Sequence, residues 1–132
     1  MSEEKKPVVL IVEDLTPAAM AAKIILKQMG FDSEHAKTGE EAISMSEKND
    51  YYCVLLDIGL GDGISGDEAA VQIRENEKNT GKNRLWIFAL TAHVEEDAKK
   101  RYFESGIDEV FEKPLRKTLL QNAIDKHIKN DE

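Results

Sequence analysis

The chain has 132 residues, a hydrophobic fraction of 41% with only 6% aromatics, and a formal net charge of −8. That length holds one domain with a real core, and the aliphatic bias suits a mixed α/β domain. The acidic balance argues against a nucleic-acid surface, which needs clustered Lys and Arg, and no apolar run approaches a membrane span.

Met1 to Lys6 reads as a polar, charged lead-in. Val8 to Val12 is a continuous apolar, β-branched run, the pattern of a strand buried on both faces, and it ends in Glu13-Asp14. Thr16-Pro17 predicts a helix start, with Thr16 as N-cap and Pro17 in the first helical position. The helix runs through Ala18 to Met29, with Met20, Ile24 and Ile25 at helical spacing, and Gly30 stops it. Phe31 to Ala36 is a more polar strand, suited to a sheet edge. Thr38-Gly39-Glu40-Glu41 is a capping box for a second helix, with Ala42, Ile43 and Met45 inward.

Val54-Leu55-Leu56 is a second unbroken apolar run and delivers Asp57 at its end. Cys53, the single cysteine, lies in this strand and reads as a small buried hydrophobe. A loop with Gly59, Gly61, Gly63 and Gly66 follows, implying mobility. Ser65-Gly66-Asp67-Glu68 is another capping box, opening a helix to about Lys78, and Asn79 to Asn83 is a polar loop. Leu85 to Leu90 is a third core strand, ending at Thr91. Val94 to Glu104 is a charged helix whose acids Glu95-Glu96-Asp97 precede its bases Lys99-Lys100-Arg101, as the helix dipole favours. Ile107 to Phe111 is a short last strand, Lys113-Pro114 follows, and Leu115 to Ile128 is an amphipathic helix in which His127 reads as solvated.

Five strands alternating with five helices imply an α/β fold: a doubly wound, five-stranded parallel sheet with helices on both faces, of (βα)5 flavodoxin-like architecture. The expected division is a lead-in at 1–7 and one domain at 8–129, with no output domain after it. The absence of a signal-peptide pattern and of paired cysteines suits a cytoplasmic protein.

In open parallel sheets, ligands gather beyond the carboxyl ends of the strands. There the sequence places Glu13 and Asp14, then Asp57, Thr91 and Lys113. Three converging carboxylates repel one another unless a cation lies between them, and all-oxygen ligation suits Mg²⁺. The carbonyl of Gly59, just past Asp57, is the main-chain oxygen best placed to join them. One divalent ion and one lysine then balance three acids, and Thr91 and Lys113 supply donors for an anion.

An acidic pair after the first strand, Asp57 after the third, Thr91-Ala92 after the fourth and Lys113-Pro114 after the fifth together resemble the receiver domain of two-component response regulators. The resemblance spans about Val8 to Ile128. It implies that Asp57 is the phosphoacceptor, that Glu13, Asp14, Asp57 and the Gly59 carbonyl hold Mg²⁺ (with Mn²⁺ as a substitute), and that Lys113 and Thr91 bind the phosphoryl oxygens. It further implies a cis Lys113-Pro114 bond, a sensor histidine kinase or histidine phosphotransfer protein as partner, and a signalling role with no turnover beyond self-phosphorylation and dephosphorylation. The wording around Val12-Glu13-Asp14, Leu90-Thr91-Ala92 and Lys113-Pro114-Leu115 is similar to receivers fused to hybrid sensor kinases.

Departures from the family's pattern are specific. Gly61 stands where proline is frequent, and the loop after Asp57 is one residue longer. Val110 occupies the place of an aromatic that swings inward on phosphorylation, and Phe111 points to the opposite face. Two other classes compete. A Mg²⁺-dependent phosphatase with an aspartyl nucleophile needs a second acid two residues on, where Gly59 stands. A receiver-like docking module that takes no phosphate is the other, kept open by the altered loop.

Overall fold

The computed structural model describes residues 6–131. The lead-in expected at 1–7 lies, through Lys5, outside the described residues. The strands are β1 (Val8–Val12), β2 (Asp32–Ala36), β3 (Cys53–Asp57), β4 (Ile87–Thr91) and β5 (Glu109–Glu112). The helices are α1 (Thr16–Gln28), α2 (Gly39–Lys48), α3 (Gly66–Thr80), α4 (Glu96–Glu104) and α5 (Lys117–Ala123). All pairings are parallel in the order β2-β1-β3-β4-β5.

The pleat divides the strand residues between two cores. Leu10, Val12, Val54, Leu56, Ile87, Ala89 and Val110 pack with Ala42, Ile73 and Tyr102 of α2, α3 and α4. Val9, Ile11, Cys53, Leu55, Phe88, Leu90 and Phe111 pack with Ala19, Ala22 and Leu26 of α1 and Leu120, Ala123 and Ile124 near the end of the chain. Because β1 and β3 are adjacent while β2 lies outside β1, the chain changes direction across the sheet beside β1. The carboxyl ends of β1 and β3 therefore flank the switch-point crevice where such folds bind ligands.

Several expected details differ. Leu15, not Thr16, is the N-cap of α1, Thr16 being the first helical residue. The cap has no side-chain bond of its own; the Glu13 carboxylate instead accepts from the Leu15 N–H at 3.3 Å. Met20 and Ile24 are exposed, because small Ala19 and Ala22 let α1 approach the sheet closely while Leu26 fills the remaining space. α3 runs to Thr80, two residues past the expected end, and closes on Gly81 in the left-handed conformation at φ 71°. Thr38 and Ser65 cap α2 and α3 as read, each hydroxyl accepting from the N–H three residues on. The glutamates of the expected boxes bond elsewhere, Glu41 to the Lys37 N–H and Glu68 to the Ser65 hydroxyl. The last helix starts at Lys117 and widens into a π-helical turn over Ile124–Ile128. That turn carries His127 into contact with Trp86 and Phe88, where Nε2 lies 2.7 Å from a Glu109 carboxylate oxygen. His127 is thus an anchored residue and not a solvated one.

Candidate functional site

Each site residue is the last residue of a strand or lies one or two residues past it, so the sheet fixes its origin. β1 delivers Glu13 and Asp14, β3 ends on Asp57, β4 on Thr91, and Lys113 follows β5. Main-chain bonds from Ile58 N–H to Leu90 O and from Lys113 N–H to Thr91 O, 3.0 and 2.8 Å, carry the sheet's register into the loops. The Lys113-Pro114 bond is cis. Behind Asp57 the loop folds tightly: the Gly66 N–H reaches Ile58 O at 3.0 Å, and a Cβ on Gly66 would strike the Asp57 carbonyl oxygen.

One oxygen from each of Glu13, Asp14 and Asp57 lies within 4.8 Å of the others. Lys113 Nζ sits 3.0 Å from Asp57 Oδ1 and 3.4 Å from Glu13 Oε1. Asp57 Oδ1 also accepts from the Gly59 N–H at 3.1 Å, and Asp14 Oδ2 accepts from the Gly61 N–H at the same distance. The glycine-rich loop is thereby tied to two of the crevice's three acids, Asp57 and Asp14. Thr91 is buried at the end of β4, and its hydroxyl donates to His93 O at 3.2 Å, facing the loop that leads into α4. His93 itself projects into solvent, near Glu95.

The charges are crowded. Burial, then the hydrogen bond and charge of Asp57, push Glu13 from 4.5 up to about 7. Slight burial works to raise Asp14, but hydrogen bonds from Glu13, the Gly61 N–H and its own N–H, with the charge of Lys113, hold it below its ordinary value. Partial burial works to lower Lys113, and the hydrogen bond and charge of Asp57, followed by those of Glu13, overcome it and raise the ammonium's pKa. Three carboxylates against one ammonium make a cation-seeking pocket of hard oxygens, which fits Mg²⁺ in charge and ligand type.

The response regulator receiver domain family matches residues 9–125. This chain belongs to that family. It is a receiver domain of two-component systems, and its acidic cluster of Glu13, Asp14 and Asp57 fits the family's phosphoacceptor site. The receiver domain is 38% identical over 125 residues to hybrid signal transduction histidine kinase I of Dictyostelium discoideum, covering 91% of this chain and 7% of that protein. It is 33% identical over 107 residues to the transcriptional regulatory protein SrrA of Staphylococcus aureus, covering 81% of this chain and 42% of that one. It thus spans less than half the length of these curated relatives. Among solved structures, the signal receiver domain of a LuxO repressor protein from Vibrio parahaemolyticus matches at a TM-score of 0.80 and 28% identity, covering 96% of this chain and 92% of that one. Among the described residues, no helix is long and apolar enough to cross a membrane.

The structure also shows what the sequence concealed. His35, on the edge strand β2, reaches the main chain of Glu13, its Nε2 lying 2.7 Å from the carbonyl oxygen. A lone histidine in a polar strand gives no sign of such a contact; only the β1–β2 register, which sets His35 beside Ile11, creates it. Cys53 is fully buried, which pushes its thiol up to about 12, and it stands apart from the pocket.

Proposed function

We propose that Asp57 accepts a phosphoryl group from a phosphohistidine on a sensor histidine kinase or histidine phosphotransfer protein. The observation that carries this reading is the Lys113–Asp57 contact of 3.0 Å inside a three-carboxylate cluster at the end of the central strand. Glu13, Asp14, Asp57 and the Gly59 carbonyl are the groups that would hold Mg²⁺, or Mn²⁺ in its place. The bound ion supplies neutralisation of the charge on the transferring oxygens.

The rest is the work of this chain's own residues. An Asp57 carboxylate oxygen bonds to phosphorus as the phosphorus–nitrogen bond breaks, and the donor imidazole, already protonated on its other ring nitrogen, takes the bonding pair and leaves neutral. Lys113, freed from its contact with Asp57 Oδ1, pairs with a phosphoryl oxygen. The Thr91 hydroxyl gives up His93 O and donates to another, which moves the β4–α4 connection. Attack by water on phosphorus later breaks the Asp57 oxygen–phosphorus bond, releasing phosphate and restoring the carboxylate.

Val110 and Phe111 pack into opposite cores, so Phe111 does not stand ready to follow Thr91 inward. The signal therefore leaves through main-chain shifts around Thr91 and α4. Leu15, Met20 and Ile24 are exposed on and beside α1, the helix that follows the acidic pair, and are suited to an apolar face of the donor protein. The same reading puts the domain in the cytoplasm, with its histidine donors.

Incubation with acetyl phosphate, with and without Mg²⁺, tests the proposal by intact mass. A Mg²⁺-dependent phosphoryl adduct on the wild type that is absent from Asp57→Asn is the expected result. No adduct, from either acetyl phosphate or a phosphohistidine donor, would leave a docking module that takes no phosphate.

A further inference from the structure

We propose that His35 is a positioning residue for the acidic pocket, its ring N–H setting the Glu13–Asp14 peptide and, through it, the carboxylate of Asp14. A carbonyl oxygen only accepts, so the 2.7 Å contact between His35 Nε2 and Glu13 O requires the proton on Nε2. The Glu13 N–H is held as well, donating to Ala36 O at 3.0 Å. Both main-chain groups of Glu13 are thus gripped by adjacent residues of β2, one through a side chain and one through the backbone.

The grip transmits because the peptide is planar and trans. Fixing the direction of the Glu13 carbonyl fixes the Asp14 N–H in the opposite direction. That peptide plane sets the direction in which the Asp14 side chain leaves the main chain, and Asp14 Oδ2 in turn takes the Gly61 N–H at 3.1 Å. On the other side of the same peptide, the Glu13 carboxylate accepts from Leu15 N–H and faces Lys113. His35 therefore stands behind the pocket, touching neither Asp57 nor Lys113, yet it orients the loop that carries two of the three acids. Sheet formation does not require it. The bond falls past the last residue of β1, where an edge strand has already completed its pairing with Val12. The consequence for metal affinity rests on the Mg²⁺ reading above; the positioning of Asp14 does not.

The test compares the full chain with His35→Phe, which keeps a ring without a donor, and His35→Gln, whose amide nitrogen can take the place of Nε2. His35→Asn, whose side chain is too short to bring its amide N–H to Glu13 O, counts with the donor-less variants if Phe disturbs the edge strand. In metal-free protein, the donor-less variants should shift the Asp14 and Gly61 amide signals and speed Gly61 hydrogen exchange about fivefold, the loss of one hydrogen bond's net strength. Mg²⁺ binding by calorimetry should weaken by about the same factor. His35→Gln should restore both, which a role in edge packing would not predict. Unchanged Asp14 and Gly61 signals in the donor-less variants, or failure of Gln to restore them, would overturn the proposal. If the wild type itself bound no Mg²⁺, the metal reading would fall, and the metal-free signals alone would still decide the role of His35.

Discussion

The two ends of the sheet handle charge in opposite ways. At the amino-terminal end, Asp108 accepts from Arg74 at 3.1 Å, Arg84 at 2.6 Å and the Ile87 N–H at 2.9 Å. Glu77 accepts from Arg74 at 2.8 Å and from the Leu85 N–H at 2.6 Å, while Arg74 also donates to Gly106 O. Two carboxylates there meet two guanidiniums, and the main chain supplies the remaining bonds. The result staples α3 to the start of β4 and to the α4–β5 turn. At the carboxyl-terminal end, three carboxylates share one ammonium. The same fold that balances charge at one end leaves it unbalanced at the other, and the imbalance is where a cation and a phosphoryl group have something to gain.

The largest test removes the balance. Asp108→Ala strips a nearly buried carboxylate from two guanidiniums and the Ile87 N–H, and should cost about 3 kcal/mol by urea unfolding. The figure sits at the low end for a broken buried pair because Arg84 is half in water and Arg74 keeps Glu77. Labelling of Asp57 by acetyl phosphate under native conditions should be unchanged. A large loss of labelling in folded protein would mean that the two ends are coupled and the comparison is wrong.

The opposite sign is expected at the other end. Glu13 is raised from 4.5 to about 7, so its contribution to metal-free stability is fully present below about pH 4.5 and is lost as pH rises through about 7. Glu13→Gln should therefore stabilise metal-free protein at pH 8 by about 1–2 kcal/mol, allowing for solvent at the pocket mouth, and should flatten the stability profile between those pH values. Urea unfolding in the presence of a chelator at pH 5 and pH 8 reads both. If Glu13→Gln instead lowered stability at pH 8, the carboxylate would be a net structural bond, like Asp108, and the two ends would not differ in kind.

The sequence revealed the carboxyl-terminal end far better than the amino-terminal one, for a physical reason. Glu13, Asp57 and Thr91 sit directly after an apolar run, and Asp14 and Lys113 one residue further on, so locating the strands locates the site. The Arg74–Asp108 pair spans 34 positions and joins a helix to a loop, and no local pattern announces it. The inward face of α1 was ambiguous too. Ala19, Ala22 and Leu26 share the helical period with Met20 and Ile24, and only the closeness of the sheet selects the smaller set. The π-helical turn and the place of His127 depend on tertiary packing against Trp86 and Phe88.

A smaller effect separates the pocket's chemistry from the surface that serves it. Ile24 is exposed on α1, so Ile24→Lys should change stability by less than about 0.5 kcal/mol. Labelling by acetyl phosphate should be equally unaffected, because a small donor needs only the pocket. Transfer from a phosphohistidine protein should slow several-fold as the apolar contact is lost. Equal slowing with both donors would mean that Ile24 supports the pocket itself and that α1 is no docking face.

The smallest effect comes from Gly61→Ala. Its backbone lies outside the left-handed region, and an added Cβ would come 2.8 Å from Asp14 Oδ2, the free end of a flexible side chain. The carboxylate can swing away at little cost, and alanine restricts the unfolded chain, so net stability should move by no more than about 0.5 kcal/mol. Mg²⁺ affinity, read by calorimetry, should fall about twofold to threefold, because the oxygen that yields is one that would hold the ion. The same change at Gly106, at the balanced end, meets φ 99° and a Cβ only 2.6 Å from Arg74 Cγ, within a side chain pinned by Glu77, Asp108 and the Gly106 carbonyl. There the neighbour cannot give, and alanine should cost well over 1 kcal/mol while leaving Mg²⁺ affinity alone. If the two substitutions behaved alike, the pocket's acids would be as firmly held as the Arg74 network. The freedom of Asp14 to exchange the Gly61 N–H for a cation would then have to come from motion of the loop as a whole.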